Sequence, residues 1–253
     1  MKGKNEFTHK FNLTPRLSAS QVAEYLSANA TARRRIITDA KYPPHFLIAR
    51  YDDVRDVLCN HLAKKTPSED VLARALDALG RKESSQGASE WTKTNCKINS
   101  EAIIAFQSQE KALDLGKLKY RVPNIGHQKL TIKGVAVSVS LDLMSTAEND
   151  NGKARVGGVI LCLWKTRSAD IADRCAAMAT LVSEVIRRVV KDDQRCDPKM
   201  CLAVDIFGGK VYRAKARQKM FLKSVENSCS EVATIWPSVP PPPNYKGPLA
   251  KAS

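Results

Sequence analysis

The sequence predicts a mixed α/β fold of the α+β kind, with a helical N-terminal region followed by a central mixed sheet flanked by helices. Two patterns support this prediction. Apolar residues recur at helical spacing between residues 18 and 79, whereas strict apolar and polar alternation begins near residue 129. With 253 residues, 43% of them hydrophobic, the chain can bury one substantial core or a core with a smaller satellite domain.

The region 1–94 is predicted to be helical. Ser18 with Gln21 forms a capping-box pattern, in which each side chain accepts from the other residue's backbone N–H at a helix start. Later segments repeat the apolar spacing and end at Pro43 or at Gly80, residues that favour the end of a helix. Further helices are therefore predicted over residues 32–41, 51–64 and 68–79, with a polar loop over 81–89.

The region 95–237 is predicted to form an α/β domain, and residues 238–253 a proline-rich flexible tail. The helices and strands of the α/β domain are predicted from apolar periodicity, from the turns at glycines and from helix caps at Asn99 or Ser100 and at Ser168. The predicted elements are a helix to Gly116, a hairpin with strands 129–133 and 135–144, an apolar strand 156–164, a helix 168–190, a hairpin around Gly208-Gly209 and a helix 216–236.

The chain is strongly basic, with 41 basic and 26 acidic residues and a net charge of +15. Residues 1–97 carry a net +6 and residues 98–253 a net +9, so a polybasic tail does not explain the excess. Cations that neutralise phosphates release condensed counterions, which favours a polyanionic partner. The alternative is a charge that serves only solubility.

Seven scattered cysteines, an odd number, argue against a disulfide framework and favour a cytoplasmic protein. The apolar runs are shorter than a membrane span, and the basic N-terminus lacks the apolar segment of a secretory signal. Cys196 and Cys201 form the closest cysteine pair, but neither a histidine nor a second pair accompanies them, so we interpret them as small buried residues rather than zinc ligands.

Three positions in the α/β region carry a resemblance to a known family. Ser140-Leu141-Asp142 ends the second predicted strand, Leu163-Trp164-Lys165 ends the third, and Glu101 lies in the helix before them. This order of elements and residues, over Asn99–Phe207, resembles the core of the PD-(D/E)XK nuclease superfamily. In that superfamily an aspartate ends the second strand and an acid-x-Lys triplet ends the third. Leu163 stands where the acid of the triplet is expected.

The resemblance implies a metal-dependent phosphodiester hydrolase. Asp142 and Lys165 would be catalytic, and Glu101, Asp142 and Asp205 would hold Mg²⁺, a hard cation that prefers oxygen ligands. Asp205 is included because it could replace the acid missing at Leu163. Each residue also has a structural interpretation: Asp142 as the end of a strand, Lys165 as a surface lysine and Glu101 as a first-turn helix acid.

Two basic stretches are candidate nucleic-acid contacts. The first is a run of three arginines on a short helix, and the second holds six cations with no acid among them. The predicted contacts are Arg33, Arg34, Arg35, Lys210, Arg213, Lys215, Arg217, Lys219 and Lys223. The sequence therefore favours a nucleic-acid-binding protein, for DNA more than for RNA, with a degenerate nuclease-like domain. The alternative is a non-catalytic basic module that binds nucleic acid or a protein.

Overall fold

The structure, a computed structural model, describes residues 8–44, 51–64, 69–115, 118–125, 128–147, 154–165, 168–215 and 217–248. It divides into two compact units: unit 1 comprises Met1–Ile48, His127–Val139 and Ala216–Ser253, and unit 2 comprises Ala49–Gly126 and Ser140–Lys215. The predicted α/β class is confirmed. The units combine separate stretches of chain, in contrast to the contiguous domains expected on either side of residue 94.

The described helices and strands alternate along the chain. In order they are β1 (Arg16–Ser18), α1 (Ala19–Ser27), α2 (Ala30–Lys41), α3 (Asp52–Leu62), α4 (Glu69–Glu83), α5 (Glu90–Leu113), β2 (Lys119–Arg121), β3 (Gln128–Ile132), β4 (Val135–Val139), β5 (Leu143–Ala147), β6 (Ala154–Cys162), α6 (Ile171–Val189), β7 (Gln194–Cys196), β8 (Leu202–Asp205), β9 (Lys210–Arg213) and α7 (Gln218–Ile235). Two short 3₁₀ turns, Pro198–Met200 and Trp236–Ser238, follow β7 and α7.

Unit 1 contains a small sheet in the order β1-β4-β3, with β1 parallel and β3 antiparallel to β4. Leu17, Val137 and Leu130 lie in register on its buried face, and α1 and α7 contact this sheet. The predicted turn at Lys133-Gly134 is present, and both residues have positive φ. The predicted capping box at Ser18 is also confirmed, because Ser18 and Gln21 each accept from the other's backbone N–H.

The last described residues of unit 1 are packed rather than free, which corrects the prediction of a flexible tail. Lys41 Nζ donates to the carbonyl oxygens of Trp236 at 2.7 Å, Val239 at 3.0 Å and Pro237 at 3.2 Å. The ring of Tyr245 lies 4.9 Å from that of Tyr42, edge to face. A buried cation and an aromatic contact therefore hold residues 236–245, which proline content alone does not indicate.

Unit 2 contains a larger sheet with strand order β2-β5-β6-β8-β9, in which β7 also pairs with β6. Its central strand is β6, the apolar strand expected from the sequence, which is antiparallel to β5 and parallel to β8. Gly157 in β6 lies against the 3₁₀ turn, so close that a Cβ at position 157 would collide with the carbonyl group of Met200. Only glycine fits at this position without a shift of the backbone. Ser145 Oγ also donates to that carbonyl over 3.0 Å, which fixes the turn against the sheet.

Helices cover both faces of this sheet. Side chains of α3, α4 and α5 pack with Val159, Leu161 and Leu163 in one apolar cluster. Cys162, the residue between the two leucines, contacts Cys175 of α6. Helix α5 begins at Glu90 with Ser89 as its cap, earlier than the predicted caps Asn99 and Ser100, and Asn99 lies inside it with its side-chain amide bonded to the Asn95 carbonyl.

The predicted strand 135–144 is two strands in two different sheets, which is a further correction. β4 ends at Val139 in unit 1, and β5 begins at Leu143 in unit 2. Asp142 therefore precedes a strand instead of ending one. Apolar residues alternate through the break, from Val135 in β4 to Leu143 in β5, so the period of two does not reveal the change of sheet. Across the described chain, every helix is too short or too polar to cross a bilayer.

Candidate functional site

The predicted catalytic and metal-binding residues lie around the carboxyl end of β6 in unit 2. In this unit α5, β2, β5, β6, α6 and β8 occur in this order along the chain, with the β3–β4 hairpin of unit 1 inserted after β2 and the short strand β7 between α6 and β8. The strands of this series are neighbours in the order β2-β5-β6-β8. In sheets of this kind, the carboxyl ends of adjacent parallel strands form the usual place for a ligand.

The Asp142 side chain is only 7% exposed, and one of its carboxylate oxygens accepts two hydrogen bonds. Oδ2 accepts from the backbone N–H of Leu161 and from Nη1 of Arg55, both at 2.6 Å. Arg55, in α3, also donates to the Leu161 carbonyl over 3.2 Å. Burial raises the pKa of the Asp142 carboxyl above its usual range, and the Arg55 charge opposes that shift only in part. The contacts fix Asp142 to the edge of β6 through charge-assisted hydrogen bonds.

Glu101 and Lys165 form a second ion pair in the same unit. Lys165 Nζ donates to Glu101 Oε2 over 2.6 Å, and the Lys165 side chain is 60% exposed. The hydrogen bond to Glu101 raises the pKa of Lys165, so this lysine is held in its charged form. The structure therefore brings two predicted site residues together, although as partners of each other.

Two further positions explain why an acid cluster does not form. Leu163 is 4% exposed and packs in the apolar cluster with α5. The position where the acid of the triplet is expected therefore belongs to the hydrophobic core. Asp205 is in register with Cys162, whose side chain contacts α6. Because side chains opposite each other in a sheet share a face, Asp205 lies on the α6 side, away from Leu163. Its Oδ1 accepts from the Gly208 N–H and closes the turn before β9.

These residues do not fit a magnesium ion. Among the residues that the structure describes, three or more His, Cys, Asp or Glu side chains never come together as a set that could hold a metal. The Arg55 guanidinium, a permanent cation, lies against the principal predicted ligand Asp142. A divalent cation at that oxygen would have to displace both Arg55 and the Leu161 N–H, and the leucine at position 163 would offer it no side-chain oxygen.

The predicted arginine contacts differ in availability. Arg33 donates to Glu231 and to the Tyr25 carbonyl, and its guanidinium lies over the Tyr25 ring at 4.9 Å. Arg35 pairs with Glu24, while Arg34 is exposed. Structural contacts therefore engage two of the three arginines, although Arg35 remains 67% exposed.

The six-cation stretch is divided between the two units. Lys210, Arg213 and Lys215 belong to unit 2, where Lys215 donates to Asp173 over 3.0 Å. Arg217, Lys219 and Lys223 belong to unit 1, where they are exposed at the start of α7. The first turn of α7 contains no acid, so these cations add to the positive end of the helix dipole.

Sequence reasoning did not identify three other residues near the end of β6. Arg55, the partner of Asp142, shows no local sign of that role, because the pair is separated by 87 positions. The Arg174 guanidinium lies 4.7 Å above the Trp164 ring, next to Lys165 in sequence. In the sequence, the only feature that indicates this cation–π contact is a tryptophan at the end of a buried strand.

The net charge is concentrated in unit 1. Unit 1 holds 15 basic and 5 acidic residues, a net charge of +10, whereas the larger unit 2 holds 26 and 21, a net charge of +5. The division of the chain at residue 97 conceals this difference, because each half contributes to both units.

No protein-family model matches the chain, and no curated protein is significantly similar to it.

Proposed function

We propose that this protein binds nucleic acid through unit 1, and that unit 2 is a degenerate nuclease-like core that acts without cleaving the bound strand. The net charge of +10 on unit 1 is the observation that carries this proposal. Phosphate neutralisation supplies most of the free energy of sequence-independent binding. A cytoplasmic setting suits the proposal, because all seven cysteines are free thiols.

The outer face of the unit 1 sheet supplies one cationic surface. Lys129 is opposite Ser138, and Arg16 is opposite Ala136, while the alternate residues point into the core. Arg16, Lys129 and Lys133 are all exposed. We call these three residues the sheet cations. Two cations among small side chains on a sheet, with a third at its turn, allow a phosphate backbone to approach closely.

The start of α7 supplies a second cationic surface in the same unit. Arg217, Lys219 and Lys223 are exposed there, and Lys219 and Lys223 are one helical turn apart. Backbone N–H groups at a helix N-terminus favour anions, and these cations strengthen that preference. The exposed cations of both surfaces suit contacts to phosphates, which carry no sequence information, so we expect binding with little sequence preference.

The nuclease-like part of the proposal rests on topology. Apart from the β3–β4 hairpin and the short strand β7, the order α5, β2, β5, β6, α6, β8 resembles the helix, three strands, helix and strand of the PD-(D/E)XK core. Lys165 follows the third strand, but Asp142 precedes the second strand instead of ending it. Arg55 and Glu101 pair with these two residues, and Leu163 replaces the acid. This arrangement supports binding rather than metal-dependent hydrolysis.

Fluorescence anisotropy with labelled duplex DNA, single-stranded DNA and RNA, each over a series of salt concentrations, tests the binding. The test variant replaces the three sheet cations with alanine. The control replaces Lys64, Lys97 and Lys111, three exposed lysines of unit 2, and changes the net charge equally. We expect the test variant to bind about tenfold or more weakly and to lower the salt slope by about 2 to 3. The control should keep the wild-type slope, and DNA should bind more tightly than RNA.

Two results would overturn the proposal. Equal losses in both triple variants would show that overall charge, and not the unit 1 surface, drives binding. Salt-independent or undetectable binding would favour a protein partner instead.

Incubation of the same DNA with Mg²⁺, Mn²⁺ or EDTA provides the catalytic comparison: metal-dependent cleavage that disappears in Asp142→Ala and Lys165→Ala would establish a nuclease.

A further inference from the structure

Cys196 and Cys201 lie next to each other at one end of the unit 2 sheet. Cys196 ends β7, Cys201 precedes β8, and their sulfur atoms are 4.0 Å apart. Cys196 is partly exposed, whereas Cys201 is fully buried. Cys196 is therefore the more accessible residue of the pair to a reagent in solution, and the buried Cys201 lies within reach of its sulfur.

The connection between the two cysteines is held by several hydrogen bonds. Asp197 Oδ1 accepts from the Lys199 N–H at 2.9 Å, and Asp197 Oδ2 accepts from Arg155 at 3.1 Å. The Asp197 N–H donates to the Val156 carbonyl, and Met200 is fixed against Gly157. The short distance between the sulfurs is thus a consequence of an ordered 3₁₀ turn.

The surroundings of Cys196 favour its thiolate. Cys201, Ser183 and the Arg187 charge lower the pKa of Cys196 to about 7, against the opposing effects of burial and of the Asp197 charge. Ser183 Oγ lies 3.7 Å from the sulfur, and Arg187 is one helical turn further along α6, where it also pairs with Glu184. The contact with Cys196 and burial raise the pKa of Cys201, so the two thiols have different roles.

We infer that Cys196 and Cys201 form a peroxide-sensitive dithiol that oxidises to an intramolecular disulfide. The Cys196 thiolate attacks one oxygen of a hydroperoxide, the O–O bond breaks, and the other oxygen leaves and takes a proton to become water or an alcohol. Cys196 is then a sulfenic acid. The sulfur of Cys201 attacks it, the S–O bond breaks, and the Cys201 proton leaves with that oxygen as water. Two thiols lose two electrons, and the peroxide gains them.

A second pair in the same unit provides an internal control. The sulfurs of Cys162 and Cys175 are 3.9 Å apart, a distance similar to that in the first pair. Both of these cysteines are fully buried between β6 and α6, and their mutual contact raises the pKa of Cys162 well above its usual range. Because neither sulfur is accessible to a reagent in solution, this pair should remain reduced although its sulfurs are close together.

Peptide mapping can test the disulfide directly. Trypsin cleaves after Arg195, Lys199 and Lys210, so Cys196 and Cys201 fall on separate peptides. The full-length protein is treated with hydrogen peroxide, then unfolded, alkylated and digested. We expect a species in which peptides 196–199 and 200–210 are joined, with a mass equal to their sum less two hydrogens, and its loss on treatment with a reductant.

Two variants separate the steps. Cys201→Ser should retain a sulfenic acid at Cys196 that reacts with dimedone, and Cys196→Ser should leave Cys201 reduced. In the untreated wild type at about pH 7, Cys196 should be alkylated on the order of tenfold faster than Cys162 or Cys175. This measurement does not depend on the stability of either variant.

Three outcomes would overturn the inference. The first is a Cys196 that remains fully alkylatable after peroxide treatment. The second is oxidation of Cys162 and Cys175 at the same rate, which would indicate reaction through unfolding. The third is oxidation of Cys201 in the Cys196→Ser variant, which would remove the assigned order of attack. Binding of nucleic acid enters none of these readouts, so they test the dithiol independently of the proposed function.

Discussion

Arg55 Nη1 and Asp142 Oδ2 are 2.6 Å apart, and this ion pair joins α3 to the edge of the central strand of unit 2. The Asp142 side chain is 7% exposed and that of Arg55 is 34% exposed. The carboxylate therefore gives up most of its hydration, and the arginine and the Leu161 N–H replace it. In this position Asp142 serves to stabilise the fold, and a cation of the protein occupies the place where a metal would be expected.

Replacement of Asp142 by alanine should destabilise the protein by about 3 kcal/mol, because it leaves the Arg55 guanidinium and the Leu161 N–H without their shared acceptor. Urea denaturation followed by circular dichroism measures this loss. The double variant Arg55→Met with Asp142→Leu should lose less than the sum of the single changes, since neither charge is then unpaired. Glu90→Gln, which breaks an exposed pair with Lys93, should leave the urea midpoint in place.

The raised pKa of Asp142 should make the effect of Asp142→Asn depend on pH. Its pKa is higher in the folded than in the unfolded protein because of burial, so the linked stability is present at low pH and is lost as pH rises through the folded value. From neutral pH to about pH 4, the free energy of unfolding should therefore shift in favour of wild type over Asp142→Asn. A shift toward the variant would mean that attraction to Arg55 outweighs burial.

Local periodicity was sufficient for most elements of the fold. The buried positions of α6, from Ile171 through Cys175 to Val185, follow the predicted helical stripe, and the hairpin around Gly208-Gly209 is present as β8 and β9. Both depend on residues close in sequence. The break between β4 and β5 depends on more distant contacts, because β4 joins the sheet of β1, which lies far earlier along the chain, whereas β5 joins the sheet of β6.

The site was less accessible to sequence reasoning for the same physical reason. Glu101 and Lys165 were chosen for their positions, and they do meet, but their pairing depends on how α5 packs against β6. From the sequence, Arg55 could not be distinguished from the other arginines of the predicted helices. The high charge of unit 1 was also hidden, since it becomes visible only when three separate stretches of chain are counted together.

Lys41→Met should destabilise unit 1 by about 3 kcal/mol. Lys41 is 5% exposed, and its ammonium group donates to three carbonyl oxygens after α7, so methionine would fill the space but leave these acceptors buried without their donor. Thermal unfolding and proteolysis of the C-terminal residues measure the loss. Lys10→Met, at an exposed position, is the matched control and should change neither the unfolding temperature nor the rate of proteolysis. Wild-type stability of Lys41→Met would show that the Tyr42 contacts suffice.

Gly157→Ala should be among the most damaging single substitutions in unit 2. The new methyl group would meet the backbone carbonyl of Met200, which cannot rotate away as a side chain could, so β6 and the 3₁₀ turn would have to separate. We expect a loss of more than about 3 kcal/mol, read as a lower urea midpoint. Gly80→Ala is the control: it lies in α4 with open space around its Cβ, and alanine there should stabilise the helix by up to about 1 kcal/mol. If Gly157→Ala kept wild-type stability, the close approach of Met200 to β6 would not be a requirement of the fold.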